Sequence, residues 1–126
     1  MYRLNQPHGS GALLVSWRPR SSTHIATTGC DLKVTIIDRQ GELQESIQLE
    51  NLCIGFGWDS EGDILAIVAH NSSSIILWHA TINKKSTVDT GVRDDITFIT
   101  WARKEPLLAV GTQKGNLVIY DHVNAK

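Results

Sequence analysis

The sequence holds only two cysteines, one methionine and three prolines, and it has no long apolar run. Each scarcity excludes something. Two thiols, Cys30 and Cys53, are too few for a disulfide-stapled scaffold, so free thiols in a reducing compartment are expected. The longest apolar run, Ile64 to Ala69, has the length of a strand, whereas a membrane helix needs roughly 20 apolar residues. Direct membrane insertion is therefore not expected. Arg3, Pro7, Gly9 and Arg18 break up the first residues, so no secretory signal is expected there. An excess of one charge is missing too, with 12 Lys+Arg against 13 Asp+Glu. Nucleic acid and anionic membrane surfaces both select for basic excess, and neither is expected as a partner.

Patterns that carry chemistry are equally scarce. His8, His24, His70, His79 and His122 show no metal-ligand spacing with one another or with the cysteines. Asp59, Glu61 and Asp63 begin like a calcium loop, but Ile64 and His70 stand where that loop needs Gly and Glu. A hairpin turn is the better reading. Gly55-Phe56-Gly57 lacks the third glycine and the helix of a phosphate loop, and Gly57 is expected to relieve crowding beside Trp58. Ser72, Ser73 and Ser74 have no nucleophile elbow around them, and the sequon Asn71-Ser72-Ser73 reads as a turn. An enzyme built on repeated sheets would put carboxylates or histidines at strand starts, where Leu13, Ile54 and Ile96 stand. No catalytic, cofactor or metal residue is nominated, and no enzyme is expected.

What is abundant is β-branched. Ile, Val and Thr number 13, 8 and 10, and they favour the pleated surface of a strand over a helix. One pattern of three strands recurs three times. Its first strands end on Trp17, Trp58 and Trp101, spaced 41 and 43 residues. Its second strands carry Ala26, Ala66 and Ala109, spaced 40 and 43. Its third strands end on Asp38, His79 and Asp121, spaced 41 and 42. Leu43 to Leu49 alternates apolar and polar as a fourth strand, and Lys84 to Thr90 reads as a weak outer edge strand. The b–c turns include Gly29-Cys30-Asp31, with glycine supplying the positive φ of a tight hairpin. No helical period competes.

Four-stranded units at a period of about 40–45 residues mark the blades of a β-propeller. The expected fold is all-β, about three consecutive blades of an open propeller over residues 1–126. The blades fall near 13–51, 52–92 and 93–126, the last lacking its outer strand. Inner strands should be buried and outer strands half-wet. The repeated alanines suit a crowded strand, and the repeated tryptophans should fill the gap between blades, each worth about 3–5 kcal/mol.

These residues carry a resemblance. Ile37-Asp38, Trp78-His79 and Tyr120-Asp121 stand where WD-repeat proteins place their Trp-Asp dipeptide, and Asp31 matches the b–c turn aspartate. Ser72 and Lys114 replace that aspartate in the later repeats. The stretches Asp38-Arg39-Gln40-Gly41, Trp58 to Asp63 and Leu108 to Leu117 narrow the likeness. From about Val15 to Lys126 the chain resembles the amino-terminal propeller of the WD repeat-containing protein 19 family, subunits of intraflagellar transport complex A. The resemblance implies a non-enzymatic scaffold of retrograde ciliary transport and cilium assembly, at the ciliary base and axoneme. It implies other complex A subunits and cargo adaptors as partners, and no cofactor. An adaptor in another assembly, such as a vesicle coat or a ubiquitin-ligase receptor, is the alternative.

Overall fold

The computed structural model describes residues 14–19, 23–29, 31–91, 94–105 and 107–121. Eleven strands and no helix occur among them. They are β1 (Leu14–Trp17), β2 (His24–Thr28), β3 (Lys33–Asp38), β4 (Leu43–Gln48), β5 (Cys53–Trp58), β6 (Ile64–Ala69), β7 (Ser74–His79), β8 (Lys84–Asp89), β9 (Ile96–Trp101), β10 (Leu107–Thr112) and β11 (Leu117–Asp121). Consecutive strands pair antiparallel into three meanders, β1-β2-β3-β4, β5-β6-β7-β8 and β9-β10-β11. The sheets stack face to face in an open arc, the arrangement of a WD-repeat propeller. The expectations for Leu13, Cys30, His8 and His122 fall outside the described residues.

Polar side chains shape the turns. Asp38 Oδ1 accepts from the Gln40 and Glu42 amides at 3.0 and 2.9 Å, closing the β3–β4 hairpin. Asp59 Oδ1 accepts from the Asp63 and Ile64 amides at 2.8 and 3.2 Å, so the calcium-like loop is a hairpin turn between β5 and β6. In the β2–β3 turn the positive φ falls on Leu32, at 61°. A side chain is disfavoured in that conformation. Two hydrogen bonds pin it: the Leu32 carbonyl accepts from the Leu49 amide at 2.8 Å and from Gln48 Nε2 at 3.2 Å.

Two apolar layers hold the arc together. Ala26, Val34, Ile36 and Ile47 of the first sheet pack on Trp58, Leu65, Ile67 and Trp78 of the second. Ile64, Ala66, Val68, Ile75 and Leu77, on the second sheet's other face, meet Ile96, Leu108 and Val110 of the third. The alternation along β6 thus serves both joints, and Ile64 to Val68 are buried without interruption.

Burial differs from the simple inner-to-outer gradient. It peaks in the second and third strands of the first two sheets, whereas β1, β5 and β9 are largely half-exposed or exposed. The first strand of each sheet borders the open inner edge, so only the strands behind it are sandwiched fully. The third sheet's far face is bare. Phe98, Leu117 and Ile119 are 65%, 71% and 52% exposed. Exposed apolar faces of this kind promote association. Leu117→Lys with Phe98→Ser should lower light scattering at a given concentration while leaving the unfolding free energy within about 0.5 kcal/mol of the parent.

Candidate interaction surface

The first strands of the three sheets run side by side and end on the repeated tryptophans. Trp58 Nε1 donates to the Ser16 carbonyl at 3.2 Å, and Trp101 Nε1 donates to the Gly57 carbonyl at 3.0 Å. Ser16 precedes Trp17, and Gly57 precedes Trp58. Each indole therefore reaches back across a joint to the carbonyl one residue before the previous tryptophan. Sequence spacing fixed the tryptophans but not this bond, which needs the stagger of neighbouring sheets. A cavity of about 400 Å³ opens beside this row, with Trp17, Phe56, Trp58, Ile99 and Trp101 among its lining.

The three tryptophans are not equivalent. Trp58 is 8% exposed and Trp101 half-buried, but Trp17 is 54% exposed. The expectation that each fills a gap between blades fails for Trp17, because no sheet among the described residues lies against it. Gly57 also differs from expectation. A Cβ there would meet Trp101 Cδ1 at 3.9 Å, an ordinary contact, so crowding does not demand glycine.

The other signature residues fall into two groups. Ala26 and Ala66 are fully buried in the first and second joints, with Trp78 beside Trp58 in the first and Tyr120 at the margin of the second. Ala109 occupies the same strand position but is half-buried, since it sits on the third sheet's bare side. Asp31, Asp38 and Asp121 lie at turns or strand ends, apart from both apolar layers. Asp38 serves its own hairpin and also accepts from Gln44 Nε2 at 3.0 Å.

A polar network in the third sheet has no counterpart in the repeat pattern. Asp94 is 7% exposed and Thr112 6%. The Thr112 hydroxyl donates to Asp94 Oδ2 at 2.9 Å and accepts from the Asn116 amide at 3.0 Å. The Asn116 side-chain amide also donates to Asp94 Oδ2, and Lys114 Nζ lies 3.8 Å from Oδ1. Asp94 lies before β9, far in sequence from the b–c turn that it bonds in space, so periodicity could not reveal it. Asp94→Ala takes the acceptor away from the buried Thr112 hydroxyl proton and should cost about 1–3 kcal/mol in chemical denaturation.

Residues 13–126 match the family described as the WDR19 first beta-propeller. The chain belongs to this family. Human WD repeat-containing protein 19 is 43% identical over 111 residues, covering 88% of the chain and 8% of that protein. The mouse protein is 44% identical over 111 residues, with the same two shares covered. WD repeat-containing protein dyf-2 of Caenorhabditis elegans is 32% identical over 123 residues, covering 95% of the chain and 9% of that protein. The chain thus spans less than a tenth of the length of these relatives. Among solved structures, the WD40 repeats of RRP9 superpose with a TM-score of 0.77 at 16% identity, covering 89% of the chain and 36% of that one. A chain of the mitotic checkpoint complex superposes at 0.70 and 20% identity, covering 86% and 35%. At these identities the likeness is of fold.

Among the described residues, no group of three or more His, Cys, Asp or Glu side chains is placed to hold a metal. Burial pushes the Cys53 thiol pKa up, only partly opposed by hydrogen bonding with the Gly55 and Val68 backbone and the Thr28 side chain, which makes it a weak nucleophile. Burial also raises the Tyr120 phenol, with Asp121 adding to the shift. A second cavity, about 530 Å³, opens between the first two sheets at the opposite rim and is lined mainly by neutral polar residues such as Gln48, Asn51, Asn71 and Ser72.

Proposed function

We propose that this chain is a non-enzymatic scaffold segment of intraflagellar transport complex A, acting in retrograde ciliary transport and cilium assembly. The observation that carries the reading is the extent of the similarity to WD repeat-containing protein 19, 43% identical over 88% of the chain. The dyf-2 relative extends it to a distant animal at 32% identity. The apolar joints and the indole-to-carbonyl row suit a rigid packing element. Its partners are then other complex A subunits and adaptors for membrane-protein cargo, at the ciliary base and along the axoneme. The signature residues Trp17, Ala26, Asp31, Asp38, Trp58, Ala66, Trp78, Trp101, Ala109, Tyr120 and Asp121 form the blade framework in this reading and carry no chemistry.

The test is to tag the gene at its own locus in ciliated cells and image the product live. Particles moving from ciliary tip to base are the expected result. A product confined to the cell body, with no ciliary pool, contradicts the proposal.

A further inference from the structure

Arg18 follows β1 and spans the joint between the first two sheets. Its Nε donates to the Gly62 carbonyl in the β5–β6 turn at 2.6 Å, and Nη2 lies 3.8 Å from Asp63 Oδ1. Asp63 is 56% exposed, so that ion pair is screened and the neutral carbonyl is the main anchor. On the first sheet, Nη1 lies 3.4 Å from Thr23 Oγ1 and 3.5 Å from His24 Nδ1. Thr23 Oγ1 is itself 2.9 Å from the same Nδ1. A guanidinium can only donate, so both contacts of Nδ1 require its lone pair. With that lone pair as the acceptor, the hydroxyl accepts from Arg18 and donates to Nδ1, and the ring's proton is then on Nε2.

We propose that this joint is a proton-sensitive latch, in which unprotonated His24 holds the Arg18 guanidinium against the backbone of the neighbouring sheet. Protonation at Nδ1 removes the acceptor and sets a positive charge beside Arg18, which then leaves Gly62. The charged groups around the ring, among the described residues, are few. Arg18 faces it from the turn after β1, Asp38 lies directly across in the β2–β3 register, and Asp63 sits beyond Arg18 on the second sheet. Asp38 opposes the repulsion without cancelling it, since its influence on the ring is smaller than that of burial and of Arg18.

The titration direction agrees. Burial lowers the His24 pKa from its ordinary 6.5, Arg18 lowers it further and Asp38 opposes them. Folded His24 therefore binds a proton less readily than unfolded His24. Well above pH 6.5 both are neutral and the joint keeps its full stability. As pH falls through 6.5 the unfolded chain takes the proton first, and the joint weakens until the folded ring is protonated as well.

An NMR titration of the 126-residue chain from pH 8 to 5 tests this. The expected results are a His24 midpoint below 6.5 and a Gly62 amide resonance, on the other sheet, that moves with that midpoint. Arg18→Gln should raise the His24 midpoint towards 6.5, and His24→Gln should abolish the Gly62 movement. A Gly62 resonance indifferent to the His24 titration overturns the latch even if neither variant folds. A His24 midpoint unmoved or lowered in Arg18→Gln overturns it equally.

Discussion

Trp78→Ala should lower stability by about 3–5 kcal/mol, the range for emptying a large aromatic site in a core. Trp78 is 3% exposed and packs edge-on to Trp58, with ring centroids 6.0 Å apart and planes at 72°. That geometry is favourable for two π-systems. The two indoles join the third strand of the second sheet to the end of its first strand, inside the layer shared with the first sheet. Trp78 Nε1 also donates to Asn83 Oδ1 at 2.9 Å, tying the β7–β8 turn to the core. Since a domain of this size has roughly 5–15 kcal/mol in total, the loss is a large fraction of its stability. Urea denaturation followed by far-UV circular dichroism measures it. Trp17→Ala is the matched control: the side chain is 54% exposed, and its loss should cost under about 1 kcal/mol.

The second large effect is expected at Gly62. Its φ is 79°, and an added Cβ would lie 2.7 Å from the Pro19 carbonyl oxygen and 3.1 Å from Arg18 Cγ. The left-handed conformation alone costs a side chain about 1–2 kcal/mol. The clash adds to this, because the atom it meets is backbone on the neighbouring sheet. Relieving it moves the turn away and loses the hydrogen bond from Arg18, a charged-donor bond worth about 1.5–3 kcal/mol. Gly62→Ala should therefore cost about 3–5 kcal/mol. Gly115→Ala separates the two contributions. Gly115 has a φ of 88° but nothing within 4 Å of the added Cβ, so only the backbone strain applies, about 1–2 kcal/mol. Equal losses at the two glycines would mean that the close approach at Gly62 is not rigid.

These two sites show what periodicity can and cannot reveal. Trp58 and Trp101 were legible because a large aromatic recurring at the same point in each repeat has to pack on the neighbouring unit. Ala26 and Ala66 were legible as the small residues of a buried strand. Trp17 obeys the same period yet stands exposed, because among the described residues no further sheet covers it. Leu32 shows a similar limit. Glycine was the natural bearer of positive φ in that turn, but hydrogen bonds from Leu49 and Gln48 placed it on a leucine instead. The Asp94 network and the Arg18 bridge were hidden for a third reason. Each joins residues far apart in the chain and occurs once, so neither leaves a repeat to find.

The fold follows from the repeats, and the family from similarity along nearly the whole chain; the proposed role in complex A rests on both. Affinity purification of the gene product from ciliated cells tests that role most directly. The account predicts that complex A subunits co-purify at near-constant ratios and survive salt washing. Recovery of coat or ubiquitin-ligase subunits in their place, or of no stable partner at all, would contradict it.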